Sequence, residues 1–402
     1  MIKLLVETKS LHNVPNYKPS RASELARIIN EDFNIPVTNF KKLRKNDFYI
    51  YIIELNGSVE DWCHKKLFEH IPNKVYELIE KKKCILVFNN EAEGDDLNPT
   101  PTVDMYHIMH NLLSQYKIPQ SQFYFINGDL HFDKNYTSWC LEKNVKKKIN
   151  HFCIHRWFNN DISEPVAVLS AIQQEKGKSK DFLSLNRGGR PHRIDHLYFL
   201  ISRNLLSKGF VSGFVTPEAS VEGPTYIENA KKKDYLKKIN ITLPLLLDGN
   251  WANLHPSLNF EDHIYPINFY CNSFLNFVTE THFDSPNCFL TEKSFRPLLL
   301  GHPFIILGSK NMLLQLDNLG FKVDFDFIDP SYDNVKNPIK RFTLANNELY
   351  KWCSLTYEEK IKNIERNIDK IEFNQQLMLK KNLRFNGYER FVKILRESIK
   401  VE

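Results

Sequence analysis

At 402 residues, with 42% hydrophobic and 25% charged residues, the chain has the composition of a globular protein and the length of two domains, each able to bury a full core. Its 54 Lys and Arg against 48 Asp and Glu leave a net +6, which suits an anionic ligand such as a nucleotide and does not demand nucleic acid. Seven widely spaced cysteines with no Cys-x-x-Cys argue against a disulfide framework or a zinc site, and no apolar run approaches the ~18 residues of a membrane span.

The first half alternates strands and helices. Leu4–Glu7 reads as an opening strand, and 20–33 is amphipathic, with Leu25, Ile28 and Ile29 on one face. Phe48–Leu55 is a strand ending at Asn56-Gly57. Val59–Lys82 carries Trp62, Leu67, Ile71, Val75 and Leu78 at helical spacing and is predicted as one long helix. Cys84–Phe88 is a buried strand, Asp104–Tyr116 a helix, Gln122–Ile126 a strand and Phe152–Phe158 another. The polar, aperiodic run 172–180 marks a domain boundary.

The alternation then restarts with a strand at Phe182–Leu185, a helix at Ile194–Leu206, a strand at Phe210–Val215 and an irregular region to about residue 265. Phe274–Val278 is the next strand, and Asp284, Ser285, Pro286 and Asn287 form a turn cluster. Thr291 can cap a helix that runs through Leu300 and stops at Gly301, and Pro303–Leu307 is a short buried strand. A helix Met312–Leu319 ending at Gly320 and a strand Phe321–Phe327 follow. Thr356-Tyr-Glu-Glu is a capping box, and Ile361, Ile364, Ile368 and Ile371 form a stripe on a long helix packed on the body of the protein. A last helix, Tyr388–Ile399, closes the chain. Alternation in both halves implies parallel sheets. The expected fold is α/β, with two Rossmann-like domains at 1–175 and 176–345 whose sheets face a cleft, and C-terminal helices over 346–402.

Two stretches of the second half concentrate charge. In Phe182-Leu-Ser-Leu-Asn-Arg-Gly-Gly-Arg-Pro-His-Arg193, a strand leads through a glycine turn into a helix that starts near Pro191. Arg187, Arg190 and Arg193 crowd that corner, where free helix N–H groups already make the potential positive, so the pattern points to a bound anion, phosphate first. Gly-x-Gly-x-x-Gly is absent, so the Gly-Gly is not a dinucleotide fingerprint. The second stretch, 276–308, puts Glu280 at a strand end and Glu292 and Lys293 at a helix start, which are ligand-binding positions in open α/β sheets.

Leu-Asn-Arg-x-x-Arg-x-His-Arg, followed by Phe289-Leu-Thr-Glu-Lys-x-Phe-x-Pro-Leu-Leu-x-Gly-x-Pro-Phe-Ile-Ile-Leu-Gly308, resembles GT-B glycosyltransferases of a phage and bacterial type, distantly similar to the α1,3-fucosyltransferases. Leu316–Lys322 and Ile328–Asp333 match the same group, and the resemblance covers roughly residues 180 to 335, the expected donor domain. It implies that the Thr291-Glu292-Lys293 stretch lines a nucleotide-sugar site, with Glu292 on sugar or ribose hydroxyls and Lys293 facing the diphosphate. Arg187, Arg190 and Arg193, beside Asn186, are the candidates for phosphate contact. Glu280 joins the set by position as a second hydroxyl-binding carboxylate, or is paired with Arg296. The co-substrate is then a nucleotide-diphospho-sugar, with no cofactor and no metal.

A departing nucleoside diphosphate needs fixed positive charge, which the arginine corner supplies. Asp324-Phe-Asp326 is therefore read as one face of a strand rather than as a metal-binding pair, and His107, His110, His151 and His155 as ordinary histidines. An inverting transfer also needs a general base for the acceptor hydroxyl. Glu93, then Glu91, then Asp129 are the candidates, on loops after the first-half strands. The acceptor is expected to be a glycan or lipid-linked saccharide. A modified base in DNA is the alternative, for which the Lys runs 81–83 and 146–148 would have to form a basic face, and a non-catalytic nucleotide-fold protein is the rival from another class. The expected location is cytoplasmic, in the host cell for a viral protein.

Overall fold

The computed structural model describes residues 1–5, 24–55, 65–91, 104–154, 177–186, 189–213, 226, 267–380 and 383–400. The chain forms two compact units. The first takes Met1–Asn159, Pro286–Phe289 and Asn382–Glu402, and the second takes Asn160–Ser285 and Leu290–Lys381. The segment 346–402 therefore divides, its first part with the second unit and its last helix with the first.

The first unit holds a six-stranded sheet: β1 (Ile2–Leu5), β2 (Val37–Thr38), β3 (Phe48–Glu54), β4 (Cys84–Asn90), β5 (Phe123–Asn127) and β6 (Asn150–Cys153), in the order β2-β1-β3-β4-β5-β6. All neighbouring pairs are parallel. The bodies of its central strands, 48–53, 84–88 and 123–126, read as unbroken apolar runs because both faces are covered. Tyr49, Tyr51, Leu86, Phe88, Phe123 and Phe125 face one core, with helices Asn73–Glu80, Met105–Gln115 and Phe132–Glu142. Leu4, Ile50, Ile85, Val87, Tyr124 and Ile126 alternate with them and face the other, with helices Glu24–Glu31 and Leu383–Lys400. The predicted helix Val59–Lys82 is two over its described part, Lys65–His70 and Asn73–Glu80, because Pro72 cannot donate the backbone hydrogen bond that would join them. The expected strand Phe152–Phe158 is seen over its described part as the end of β6, Asn150–Cys153, and residues 155–158 lie outside the described set.

The second unit holds β7 (Lys180–Ser184), β8 (Gly209–Val211), β9 (Ser273–Thr279) and β10 (Phe304–Leu307), all parallel, in the order β10-β9-β7-β8. The chain moves from β7 to β8 on one side, then crosses back to place β9 on the other. The order thus reverses between β7 and β9. Carboxyl ends of strands at such a reversal leave a crevice where α/β sheets bind ligands.

Two predicted elements of this unit are different in the structure. Residues 321–327, with their strand-like alternation, are irregular and belong to no sheet. The Asn374 side chain accepts from Lys322 N–H (2.7 Å) and donates to Lys322 C=O (2.7 Å), so a helix side chain takes the place of a neighbouring strand. Asp324 pairs with Lys370 at 3.0 Å and Asp326 with Arg366 at 3.4 Å, so these aspartates bind helix cations. The long helix expected under the isoleucine stripe is two helices, Tyr357–Arg366 and Ile368–Lys380. Its buried line is Asn363, Asn367, Ile371, Asn374 and Gln375, while Ile368 is exposed. The Thr356–Glu359 capping box is formed in both directions. Helix Pro338–Ser354, which sequence periodicity did not single out, packs beside β10 and the helix Pro191–Ser202.

Candidate functional site

The carboxyl ends of β7 and β9 collect most of the charged residues that the sequence singled out. After β9, Glu280 is fully buried, and its carboxylate accepts from Thr281 N–H (3.0 Å), Thr291 N–H (3.1 Å), Thr291 O–H (2.7 Å) and Ser294 O–H (2.5 Å). A carboxylate with four donors is saturated. Glu280 therefore ties the strand end to the start of helix Glu292–Leu299, where negative charge also complements the helix dipole, and Arg296 is not among these partners. Thr291 is the N-cap of that helix as expected, accepting from Lys293 N–H at 3.3 Å. Gly301, in the left-handed region at φ +65°, turns the chain out of it.

The helix Pro191–Ser202 starts at Arg190 with Pro191 in its first turn. It is buried from His192 through Leu197. His192 Nε2 donates to Glu280 C=O (2.9 Å), and Arg193 donates to Thr279 C=O (3.1 Å) and Glu280 C=O (3.2 Å). These two side chains satisfy the last carbonyls of β9 across the reversal point. Burial, reinforced by Arg193, holds His192 down to about 3, so it is neutral. Burial and the Arg190 charge bring Arg193 down to about 10, against the pull of Glu280 and Glu292. Arg190 itself is exposed, and its field also reaches His282. Arg187 lies outside the described residues.

Lys293 is partly exposed and forms an ion pair with Glu292 at 2.9 Å, with a second bond to Thr291 Oγ1 at 3.2 Å. Burial raises Glu292, but Lys293 and Arg296 outweigh it and hold the carboxyl below its ordinary value. Among the described residues singled out at this edge, Arg190 is exposed and Glu292 and Lys293 are partly exposed. Asn186, Glu280, Thr291 and Arg193 are committed to holding the edge together.

Behind the edge runs a buried polar chain that sequence reading missed. Thr279 O–H donates to Asn186 Oδ1, and Asn186 Nδ2 donates to Ser184 Oγ at 3.2 Å. Ser184 Oγ meets His196 Nε2 at 3.2 Å, and His196 Nδ1 meets Asn346 Oδ1 at 2.7 Å. The Asn346 amide closes the chain on Phe342 C=O at 2.9 Å. One assignment satisfies every member: the proton on Nδ1 of His196, with Ser184 donating to Nε2. His196 stacks on Phe277 of β9 with centroids 4.1 Å apart, and burial holds it down to about 4. Arg341 was also missed: it donates to Gly308, Val335 and Phe283 carbonyls at 3.1, 2.7 and 2.6 Å and fixes the loop after β9. Partners 12 to 150 residues apart leave no local signal.

Of the base candidates in the first unit, Glu91 is buried at the end of β4 and accepts from Tyr388 O–H at 2.5 Å. Asp129, buried after β5, accepts from Cys288 N–H (2.8 Å) and His131 N–H (2.9 Å). Gly128 lets this segment approach, since a Cβ there would lie 2.5 Å from the Phe289 ring. Both carboxylates are thus engaged by the chain itself, and Glu93 lies outside the described residues, as does His155. Among the described residues no group of three His, Cys, Asp or Glu could hold a metal ion, and no helix is long and apolar enough to cross a membrane.

No protein-family model matches the chain, and no curated protein is similar to it in sequence. Among solved structures it is similar to an α,α-trehalose-phosphate synthase (UDP-forming) from Burkholderia vietnamiensis, at 14% identity and a TM-score of 0.41, over 88% of this chain and 74% of that one. It is also similar to UGT71G1 of Medicago truncatula complexed with UDP-glucose, at 10% identity and a TM-score of 0.23, over 92% and 90% of the two chains. At those scores the function rests on the residues.

Proposed function

We propose that the chain is a GT-B glycosyltransferase that takes a sugar from a nucleotide-diphospho-sugar, held by the second unit, to an acceptor hydroxyl. The observation that carries this reading is the reversal point of the second sheet, where Arg190, Arg193, Glu292 and Lys293 converge on the ends of β7 and β9. Arg190 and Lys293 are the proposed diphosphate contacts, with Arg187 as a third, and Glu292 the proposed hydroxyl contact. These cations and the start of helix Pro191–Ser202 would stabilise the leaving diphosphate without a metal. We assign the base of an inverting transfer to Glu93, because Glu91 and Asp129 already have partners. A glycan or lipid-linked saccharide is the acceptor class we favour.

Titration calorimetry against a panel of nucleoside diphosphates tests the donor site. Binding of one of them, weakened about tenfold or more by Arg190→Ala or Lys293→Ala, is expected, since each removes a charge-assisted contact. No binding to any of them would sink the reading, and so would affinities indifferent to both substitutions.

A further inference from the structure

The lysine runs that the donor site does not use fall on one edge of the first unit. In a parallel sheet every strand starts at the same edge. The turns entering β3, β4, β5 and β6 carry Arg44 and Lys45, Lys81–Lys83, Lys117, and Lys143 with Lys146–Lys148. These turns are contiguous. Tyr49 N–H donates to Lys83 C=O (2.8 Å), the Gln122 amide to Ile79 and Cys84 C=O (3.0 and 2.8 Å), and the Asn150 amide to Gln120 C=O (3.2 Å). At about 4.8 Å per strand the row is roughly 15 Å long.

All ten cations are exposed, and the same turns hold three carboxylates, Asp47, Glu80 and Glu142, so their net +7 exceeds the +6 of the whole chain. Asp47 is taken by Lys3 at 2.5 Å and the terminal amine at 3.6 Å. Among the described residues, the one ion pair drawing on the ten cations is Lys143–Glu142 at 3.2 Å. Helix ends account for part of this, since three of these turns follow helices whose free carbonyls favour a cation. That explains one lysine per helix, not three in succession. Within the row, Leu141 is 76% exposed beside Lys143 and Lys146–Lys148.

We infer that this edge is a docking surface for an anionic membrane. Exposed lysines around a projecting leucine match a layer of negative headgroups over an acyl boundary. A duplex offered as the acceptor would need its phosphates near the opposite edge, where Glu91 and Asp129 follow β4 and β5. The seven residues of β4 separate the two edges by about 23 Å. The basic edge and its leucine stand apart from the proposed function; only the preference for a membrane over a duplex rests on that reading.

The test is co-sedimentation of the full chain with vesicles of phosphatidylcholine, alone or with about one part in four of phosphatidylglycerol, as a source of anionic headgroups. Binding is expected only to the anionic vesicles, and should disappear toward about 1 M salt, where the screening length falls to about 3 Å. Each cation near such a surface is worth about fivefold, so combining Lys81→Glu, Lys83→Glu, Lys146→Glu and Lys148→Glu should lower partition by roughly a hundredfold or more. Leu141→Ser should lower it about tenfold at unchanged charge. Unchanged melting and far-ultraviolet circular dichroism verify the folding of each variant, and the matching Lys→Gln set serves if the reversal set fails that check. Wild-type protein that ignores anionic vesicles at low salt, or a folded variant set that binds them as wild type does, overturns the inference. Duplex DNA held by the same lysines more tightly than the vesicles, with Leu141→Ser without effect, overturns it in favour of nucleic acid.

Discussion

Glu280 and Lys293 lie close in the fold and have opposite jobs. Glu280 is buried with four donors on its carboxylate, two of them backbone N–H groups. Glu280→Ala strands those donors, two hydroxyls and two amides, in a dry site and should destabilise the second unit by about 3 kcal/mol. Lys293→Ala removes a partly exposed ammonium whose ion pair with Glu292 is worth about 1 kcal/mol at most. Urea unfolding of both variants, set beside their nucleoside diphosphate affinities, separates the two roles: the first should lose stability, the second affinity alone. An unfolding midpoint unchanged in Glu280→Ala would contradict the clamp. The position of Glu280 was readable as a strand end, and Thr291 as a cap, because both depend on neighbours in sequence. The bonds between them were not readable, because Thr291 and Ser294 lie 11 and 14 residues downstream and meet Glu280 only once the helix folds back on the sheet.

At the scale of elements, strands buried on both faces were the most legible. Continuous apolar runs such as Cys84–Phe88, which lies inside the strand Cys84–Asn90, leave little else for the chain to do. The misreading at 321–327 is instructive in physical terms. Phe321 and Phe325 are buried, as a strand pattern requires, but the backbone N–H groups that follow them, of Lys322 and Asp326, bond to Asn374 and Asn367 instead of to a sheet. The isoleucine stripe held only in part: Ile371 is buried and Ile361 and Ile364 half-buried, but Ile368 is exposed, and the inward face of helices Tyr357–Arg366 and Ile368–Lys380 carries the amides serving this loop. Asn374→Leu therefore improves helix propensity and apolarity and should still cost about 2 kcal/mol, because the amide N–H and C=O of Lys322 lose their partner. Ile368→Ala, at an exposed position, should cost less than about 0.5 kcal/mol. Equal effects of the two substitutions in thermal or urea unfolding would restore the stripe as the packing face.

At the scale of the molecule, alternation of strands and helices was enough to expect two parallel sheets. The order β10-β9-β7-β8 was not, since nothing local says which side of β7 receives β9. That order brings histidines into the second unit's interior, with a consequence for acid stability. Burial first of all holds His192 down to about 3, His196 to about 4, His282 to about 4 and His302 to about 3. Each is neutral when folded and takes a proton near pH 6.5 when unfolded. Depressed folded values mean that the unfolded state binds more protons between the two limits, so stability is complete above about pH 6.5 and is lost as pH falls toward 4. Each group contributes a slope of about 1.4 kcal/mol per pH unit. Asp333, which burial raises to about 7, holds its proton in the folded state over the same range and offsets one of the four, leaving about 4. Hydrogen exchange, corrected for its intrinsic pH dependence, should show peptides from β9 and β10 losing protection between neutral pH and about pH 5. Burial also holds His110 of the first unit below its ordinary value, so β4 and β5 serve as the comparison within the same experiment. His196→Phe removes one of the four titrating groups. It also leaves the Ser184 hydroxyl proton without its acceptor and Asn346 Oδ1 without its donor, so it should lower stability at neutral pH while flattening the net acid slope by about a third. A variant with an undiminished slope would show that buried histidines are not the origin of the acid sensitivity.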